Sequence, residues 1–246
     1  MDPLMTALDL FGHFFDDAAI FPPGNMPMDE AVRAHLSRRG TPEGEYVGPF
    51  ICSAERLGEL REELAHGHLE LSLVATVDEF NDAARDLASQ QNLTLTALEL
   101  KGPVDQLPEV PHGLRVFVER TWHESLDVPE GAMLKLRCGG PDTRDTPSAC
   151  QLGGAIEHSV ENDLAFKLTA GLHHAVRTER DHGFLNILAA VNAVIDGSDP
   201  VPALLESDPR ALKVSNPEAV RRLFRSIGTC IIDEPLTDLR DLELIP

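Results

Sequence analysis

Strand-like runs alternate with helical patterns over most of this chain, and this alternation restricts the possible fold most strongly. Runs rich in leucine, valine and phenylalanine predict strands at residues 46–52, 69–77, 93–101, 114–120, 132–138, 164–170 and 226–232. Helical patterns lie at residues 28–39, 54–65, 79–90, 147–161, 183–195 and 217–224, and Asp78 is expected to cap the third of them. Strands separated by helices are typical of βα units, which build a parallel sheet.

The length of 246 residues suits a closed (β/α)8 barrel, a TIM-barrel-like fold. We predict one barrel-like domain over residues 1–246, irregular because the proline-containing link at 103–113 leaves little room for a helix. The alternative is an open, doubly wound parallel sheet. No GxGxxG follows a predicted strand and no GxxxxGK[ST] is present, so the sequence lacks the motifs that would favour a nucleotide-binding open sheet.

The charge balance excludes two classes of partner. The chain has 41 acidic and 21 basic residues, a formal net charge of −20. Nucleic acids and anionic membrane surfaces both attract lysine and arginine, so we expect this chain to bind neither. The first residues lack the basic segment of a signal peptide, and the longest apolar stretch, near 184–195, is too short to span a bilayer. A cytoplasmic location is therefore expected, and self-association is possible by analogy with other barrels.

Charged residues share one face of several predicted strands. Residues i and i+2 of a strand point the same way, so Leu98 and Leu100 separate from Glu99 and Lys101. Apolar faces of barrel strands must contact the outer helices, which leaves the charged faces pointing inward near the carboxyl-terminal rim. The predicted inner ring comprises Glu99, Lys101, Glu119, Lys135, Arg137, Lys167 and Thr169.

This ring predicts an anionic ligand. Four cations face two anions in an otherwise acidic protein, and a bound anion would balance them. Lys135 and Arg137 would hold that anion, and Glu99 or Glu119 would serve as general base. The alternative is a buried ion-pair network with a structural role.

Histidines cluster after the predicted strand at 164–170. His173, His174 and Arg177 follow Gly171 closely, and His182 comes soon after. They could hold a carboxylate or phosphate and move protons near neutral pH. They could instead bind a divalent metal together with Glu99, Glu119 or Asp233, although the spacing is not HExxH. A third possibility is that they cap helices or face solvent.

Lys167 is the candidate nucleophile. Among Lys135 and Arg137, in a partly desolvated barrel, its ammonium form would be disfavoured, so it could attack a carbonyl and form a Schiff base. The segment 166–171, FKLTAG, is loosely similar to the lysine-bearing strand of class I aldolases of the deoxyribose-phosphate type. That similarity covers six residues and implies a lysine-dependent lyase.

Longer segments resemble a family of uncharacterised bacterial proteins. They are DAAIFPP at 17–23, LKLRCGG at 134–140, FKLTAGLHH at 166–174, HGFLN at 182–186, IGTC at 227–230 and DEP at 233–235. The resemblance implies that these segments form one site, but it implies no reaction. Asp16 and Asp17 border the first segment and are expected in a solvated acidic turn; the alternatives are that they cap a short helix or reach the rim as a carboxylate pair. Asp233 is expected at the rim.

These features predict an enzyme that acts on a small anionic carbonyl compound, a keto acid or a sugar phosphate. It would be a lyase, of the aldolase kind, or an isomerase. Lys167 would form the imine, Glu99 or Glu119 would be the base, and His173 or His174 would move protons. Lys101, Lys135, Arg137, Thr169, Arg177 and Asp233 are the expected substrate-binding residues. No cofactor is expected; the alternatives are a divalent-metal enzyme with ligands at the barrel rim and a non-catalytic anion-binding module.

Overall fold

Eight parallel strands close into a barrel, as the alternating sequence pattern predicted. The computed structural model describes residues 7–64, 67–140 and 146–246. The strands are β1 (Phe15–Asp17), β2 (Val47–Ser53), β3 (Leu69–Ala75), β4 (Leu93–Leu100), β5 (Arg115–Arg120), β6 (Met133–Arg137), β7 (Phe166–Thr169) and β8 (Phe224–Thr229). Each strand pairs with its neighbour in sequence, and β1 pairs with β8 to close the ring.

Helices surround the barrel unevenly. They are α1 (Ala7–Phe11), α2 (Met28–Arg38), α3 (Leu57–Glu63), α4 (Val77–Ala88), α5 (Ala149–Glu161), α6 (Phe184–Ile195), α7 (Val201–Leu205), α8 (Pro217–Leu223) and α9 (Asp233–Asp241). Within the described chain, the links at 101–114 and 121–132, which flank β5, contain no helix. The barrel is therefore irregular on one side, as the short link at 103–113 indicated.

The sequence did not reveal β1. This strand has three residues, too few for a periodic pattern, and two of them are aspartates that resemble a turn. Both carboxylates are buried, with Asp16 3 % and Asp17 1 % exposed, so the prediction of a solvated acidic turn is wrong. The backbone of Phe15–Asp17 is fixed between two strands, β2 and β8, and that pairing holds the acids inside.

The helix boundaries differ in detail from the predictions. Helix α4 begins two residues early, because Thr76 and Glu79 form a reciprocal capping box and Asp78 lies within the first turn. The second predicted helix is a 3₁₀ turn (Ala54–Arg56) followed by α3, and its predicted end at residue 65 lies outside the described residues.

Apolar side chains form two clusters outside the strands, and the barrel interior between them contains charged and hydroxyl side chains beside the ring of Phe117. One cluster joins β1, β6, β7 and β8 to their helices, and its phenylalanines include Phe14, Phe166 and Phe224. The rings of Phe166 and Phe224 stack with centroids 5.0 Å apart. The other cluster joins β2 to β5 and includes Phe50 and Phe80. Apolar residues on the outer faces thus leave the inner faces for charged groups.

None of the helices in the described segments is long and apolar enough to cross a lipid bilayer.

Candidate active site

Lys167 lies at the centre of an ion-pair network inside the barrel. Its Nζ is 2.6 Å from Asp16 Oδ2 on β1 and 2.6 Å from Glu99 Oε1 on β4. The side chain is completely buried, as is that of Glu99. The predicted environment, in which other cations disfavour the ammonium, is therefore wrong: two carboxylates contact Lys167 directly.

Lys135 extends the network toward solvent. It is the register partner of Lys167 on the neighbouring strand. Its Nζ is 2.8 Å from Glu99 Oε2 and 2.8 Å from Glu119 Oε2. Lys135 is 7 % exposed and Glu119 is 24 % exposed, so the network opens to water at Glu119.

Two hydroxyl groups and one aromatic ring complete the interior. Ser72 Oγ donates a hydrogen bond to Glu99 Oε1 (2.7 Å), and Ser226 Oγ donates one to Asp16 Oδ2 (2.7 Å). The ammonium of Lys167 also lies 5.3 Å from the ring centre of Phe117, within reach of a cation–π contact. The side chain of Lys167 is therefore held from several sides.

Two opposing effects determine the pKa values of Glu99 and Lys135: burial disfavours the charged form, and neighbouring opposite charges favour it. Burial by itself raises the pKa of Glu99, but Lys135 and Lys167 outweigh it and hold that pKa well below its usual range. Burial by itself lowers the pKa of Lys135, but Glu99 and Glu119 outweigh it and raise that pKa. The charged forms of Glu99 and Lys135 therefore stabilise each other.

The interior does not hold the predicted excess of cations. Asp16 adds a third carboxylate to Glu99 and Glu119, and these three face the two ammonium groups of Lys135 and Lys167. The remaining two predicted cations lie elsewhere. Lys101 is 3.4 Å from Glu55 and 3.4 Å from Glu79, beyond β2 and β3, and Arg137 is exposed at the end of β6.

Of the other predicted binding residues, Thr169 follows Lys167 on the same face of β7, whereas Arg177 and Asp233 lie in the loop after β7 and in α9. Thr169 is half-buried at the end of β7, where its methyl group would contact any side chain placed at Gly228. Arg177 follows in the loop, and its backbone N–H bonds Asn186 Oδ1 at 2.8 Å. Asp233 begins α9 and accepts a hydrogen bond from Arg38 at 3.0 Å.

The histidines after β7 contact α9. His173 Nδ1 is 2.9 Å from Glu234 Oε2, and His174 Nδ1 is 3.4 Å from Asp238 Oδ2. His174 is nearly half exposed. His173 Nε2 faces Cys230 Sγ at 3.8 Å, a neighbour that the sequence did not indicate.

The ligands suggested for a divalent metal do not come together. His182 Nε2 bonds the carbonyl oxygen of Pro147 at 2.8 Å, while His173 and His174 face two different acids. Across residues 7–64, 67–140 and 146–246, no three histidine, cysteine or acidic side chains form a group that could hold a metal ion.

A second buried pair, Asp17 and His35, was missed by sequence reasoning. Asp17 Oδ2 is 3.0 Å from His35 Nδ1, and both side chains are 1 % exposed. His35 lines a pocket of about 190 Å³ together with His13, Arg38 and Arg39. The signal was present: His35 falls on the buried stripe of α2, where Met28, Ala31 and Val32 are its apolar neighbours.

Comparisons with known proteins found no counterpart. No family model matches the chain, and neither a curated protein nor a solved structure matches it. The resemblance to a bacterial family and to the aldolase segment therefore stays a prediction.

Proposed function

We propose that this protein is an enzyme, a lyase or isomerase, that forms an imine between Lys167 and a small anionic carbonyl compound. The observation that carries the proposal is the complete burial of Lys167 between two carboxylates, 2.6 Å from each, inside a closed barrel. Barrels of this kind commonly belong to enzymes, whose sites lie at the carboxyl-terminal ends of the strands.

Stability alone is a poor explanation for these buried charges. Barrel interiors are ordinarily filled by layers of branched apolar side chains. Desolvating an ion costs several kcal/mol even after relaxation, and a well-packed apolar replacement is often about as stable. Five ionisable groups that take the place of such layers are therefore best explained by chemistry that needs them.

The contacts give each group a part in imine formation. Asp16 or Glu99 accepts a proton from the Lys167 ammonium, and the free amine then adds to the carbonyl carbon. The same carboxylate returns its proton to the carbinolamine hydroxyl, which leaves as water, and a C=N bond forms. The resulting iminium accepts the electron pair released when a neighbouring C–C or C–H bond breaks.

Lys135 and Glu119 form the entrance to this site. Lys167 has no exposed surface, whereas Glu119 contacts solvent, so the substrate enters where the Lys135–Glu119 pair opens. An anionic substrate replaces Glu119 on the Lys135 ammonium, which selects for a carboxylate or phosphate group.

Borohydride trapping tests the proposal sharply, because the chain contains four lysines: Lys101, Lys135, Lys167 and Lys213. The whole protein would be incubated with small keto acids and sugar phosphates, reduced, digested and mapped by mass. We expect an adduct on Lys167, none on the exposed Lys213, and none on Lys167→Met.

Lys135→Met is the matched control. This variant should still be modified at Lys167, but it should bind the anionic compound more weakly, so half-maximal modification should need a higher concentration of that compound. Adducts confined to Lys213 or Lys101, or turnover that survives Lys167→Met, would contradict the proposal.

A further inference from the structure

Outside the barrel interior, an imidazole lies between a thiol and a carboxylate. Cys230 directly follows β8, His173 lies in the loop after β7, and Glu234 is in the first turn of α9. Cys230 Sγ is 3.8 Å from His173 Nε2, and His173 Nδ1 is 2.9 Å from Glu234 Oε2. Three separate elements thus bring a nucleophile, a base and an orienting acid together.

The ring of His173 lies between Glu234 and Cys230. Nδ1 lies 2.9 Å from Glu234 Oε2 as an ion-pair contact without an aligned hydrogen bond, so the carboxylate favours a proton on Nδ1 electrostatically. In the neutral imidazole this leaves the lone pair on Nε2, the atom that faces Cys230 Sγ. His173 is therefore oriented to take the thiol proton.

The surroundings of Cys230 keep the thiol protonated until a base acts. Burial raises the pKa of this thiol, and the acidic side chains of Glu234 and Asp17 raise it further. Backbone hydrogen bonding by Gly24 and Cys230 opposes this rise in pKa.

We propose that Cys230 is the nucleophile of an acyl-transfer site, with His173 as general base and Glu234 as the residue that positions it. The substrates are small esters or thioesters. This site goes beyond the lysine chemistry proposed above and does not rest on it.

The reaction balances with water as the second substrate. Sγ attacks the carbonyl carbon while its proton passes to His173, forming a C–S bond and a tetrahedral intermediate. The bond to the leaving alcohol or thiol then breaks, and that group takes the proton from His173. Water, activated by the same imidazole, hydrolyses the thioester, releasing the acid and restoring the thiol.

The loop that contains Gly24 limits the size of the acyl group. Cys230 is only 6 % exposed, and a Cβ atom added at Gly24 would lie 3.1 Å from Cys230 Cβ and 2.9 Å from its carbonyl oxygen, so the loop packs closely on this residue. The site therefore suits a short acyl chain such as acetyl.

The test uses the full chain, with p-nitrophenyl acetate and an acetyl thioester of cysteamine as probes. After acid quenching and digestion, mass mapping should find acetyl on Cys230, removable by hydroxylamine. Cys150 is exposed and serves as an internal reference for an ordinary thiol. Cys230→Ser should lose this label, whereas Lys167→Met should keep it, so the two proposals fail independently.

Variants of the base separate catalysis from folding. His173→Gln should acetylate Cys230 about 10²-fold more slowly, the usual contribution of a general base. The rate at Cys150 should not change, and added imidazole should restore part of the rate in His173→Ala. Glu234→Ala should lose rate, and Glu234→Asp should regain part of it.

Two results would overturn the inference. One is acetylation confined to Cys150 or to lysines in the unaltered protein. The other is a rate at Cys230 that His173→Gln leaves unchanged while its melting temperature stays the same.

Discussion

Glu99 contacts two lysines, one at each carboxylate oxygen; Glu99 and Lys167 are fully buried, and Lys135 is nearly so. A buried charge that loses its partner still carries the free-energy cost of desolvation, but it no longer has the electrostatic attraction that offset this cost. The stability of the interior therefore depends more on Glu99 than on any other member of the network.

We predict that Glu99→Gln lowers the free energy of unfolding by about 3–5 kcal/mol, because it leaves the Lys135 and Lys167 ammonium groups short of a carboxylate. Urea unfolding followed by circular dichroism measures this loss. Glu119→Gln is the control, and its loss should be smaller because Glu119 is 24 % exposed. Equal losses of unfolding free energy in the two variants would show that the depth of burial of the carboxylate does not determine the loss.

The same contacts predict how stability depends on pH. The pKa of Glu99 is lowered in the folded chain, so its contribution is complete above about pH 4.3, the value for an unfolded glutamate, and is lost as the pH falls toward the folded-state pKa. The pKa of Lys135 is raised, so its contribution is complete below about pH 10.4 and is lost as the pH rises through the folded-state value.

Urea midpoints between pH 2 and 11 should therefore fall at both ends, with a plateau between about pH 5 and pH 10. In Lys135→Met the alkaline fall should shrink. A midpoint that stays constant above pH 10.4 in the unaltered protein would contradict the assignment.

Strand parity predicted four of the five interior ions, because β4 to β7 are long enough for alternation to show. Asp16 was expected in a turn instead, because its strand has only three residues and its partner Lys167 is 151 positions away. The contact of Cys230 with His173 escaped for a related reason: it depends on how β7, β8 and the following loop meet, which no local pattern encodes.

At the scale of elements, α4 shows where local signals are ambiguous. Thr76 and Asp78 are both residue types that cap helices, and the sequence favoured Asp78. In the structure Thr76 Oγ1 accepts a hydrogen bond from the Glu79 N–H, and the Glu79 carboxylate accepts one from the Thr76 N–H. The reciprocal pair decides the start of the helix.

We predict that Thr76→Ala destabilises the protein by about 1 kcal/mol, the usual cost of losing such a cap. Asp78→Ala should cost less than half of that, since its carboxylate interacts with the first turn only through the helix dipole. Thermal unfolding of the two variants side by side measures the difference. A larger loss for Asp78→Ala would contradict the capping assignment.

The whole molecule carries a formal charge of −20, and most of that charge lies outside the barrel interior. Repulsion among exposed carboxylates opposes the folded state, and salt screens this repulsion, whereas buried ion pairs are screened little.

We therefore predict that the melting temperature rises by several degrees between about 10 mM and 0.5 M sodium chloride. Choline chloride should raise the melting temperature by a similar amount, because the screening depends on ionic strength and not on the identity of the cation. A falling melting temperature would mean that exposed ion pairs stabilise more than repulsion destabilises.

The apolar core is divided into two clusters, and the ion pairs of the interior connect the two halves of the barrel that these clusters define. Strands β6 and β7, in one half of the barrel, supply the two ammonium groups, and β4 and β5, in the other half, supply Glu99 and Glu119. Three of the ion pairs therefore join one half of the barrel to the other. Both ammonium groups come from one half of the barrel and two of the three carboxylates from the other, so the inside of this single chain resembles a charge-complementary interface between two subunits.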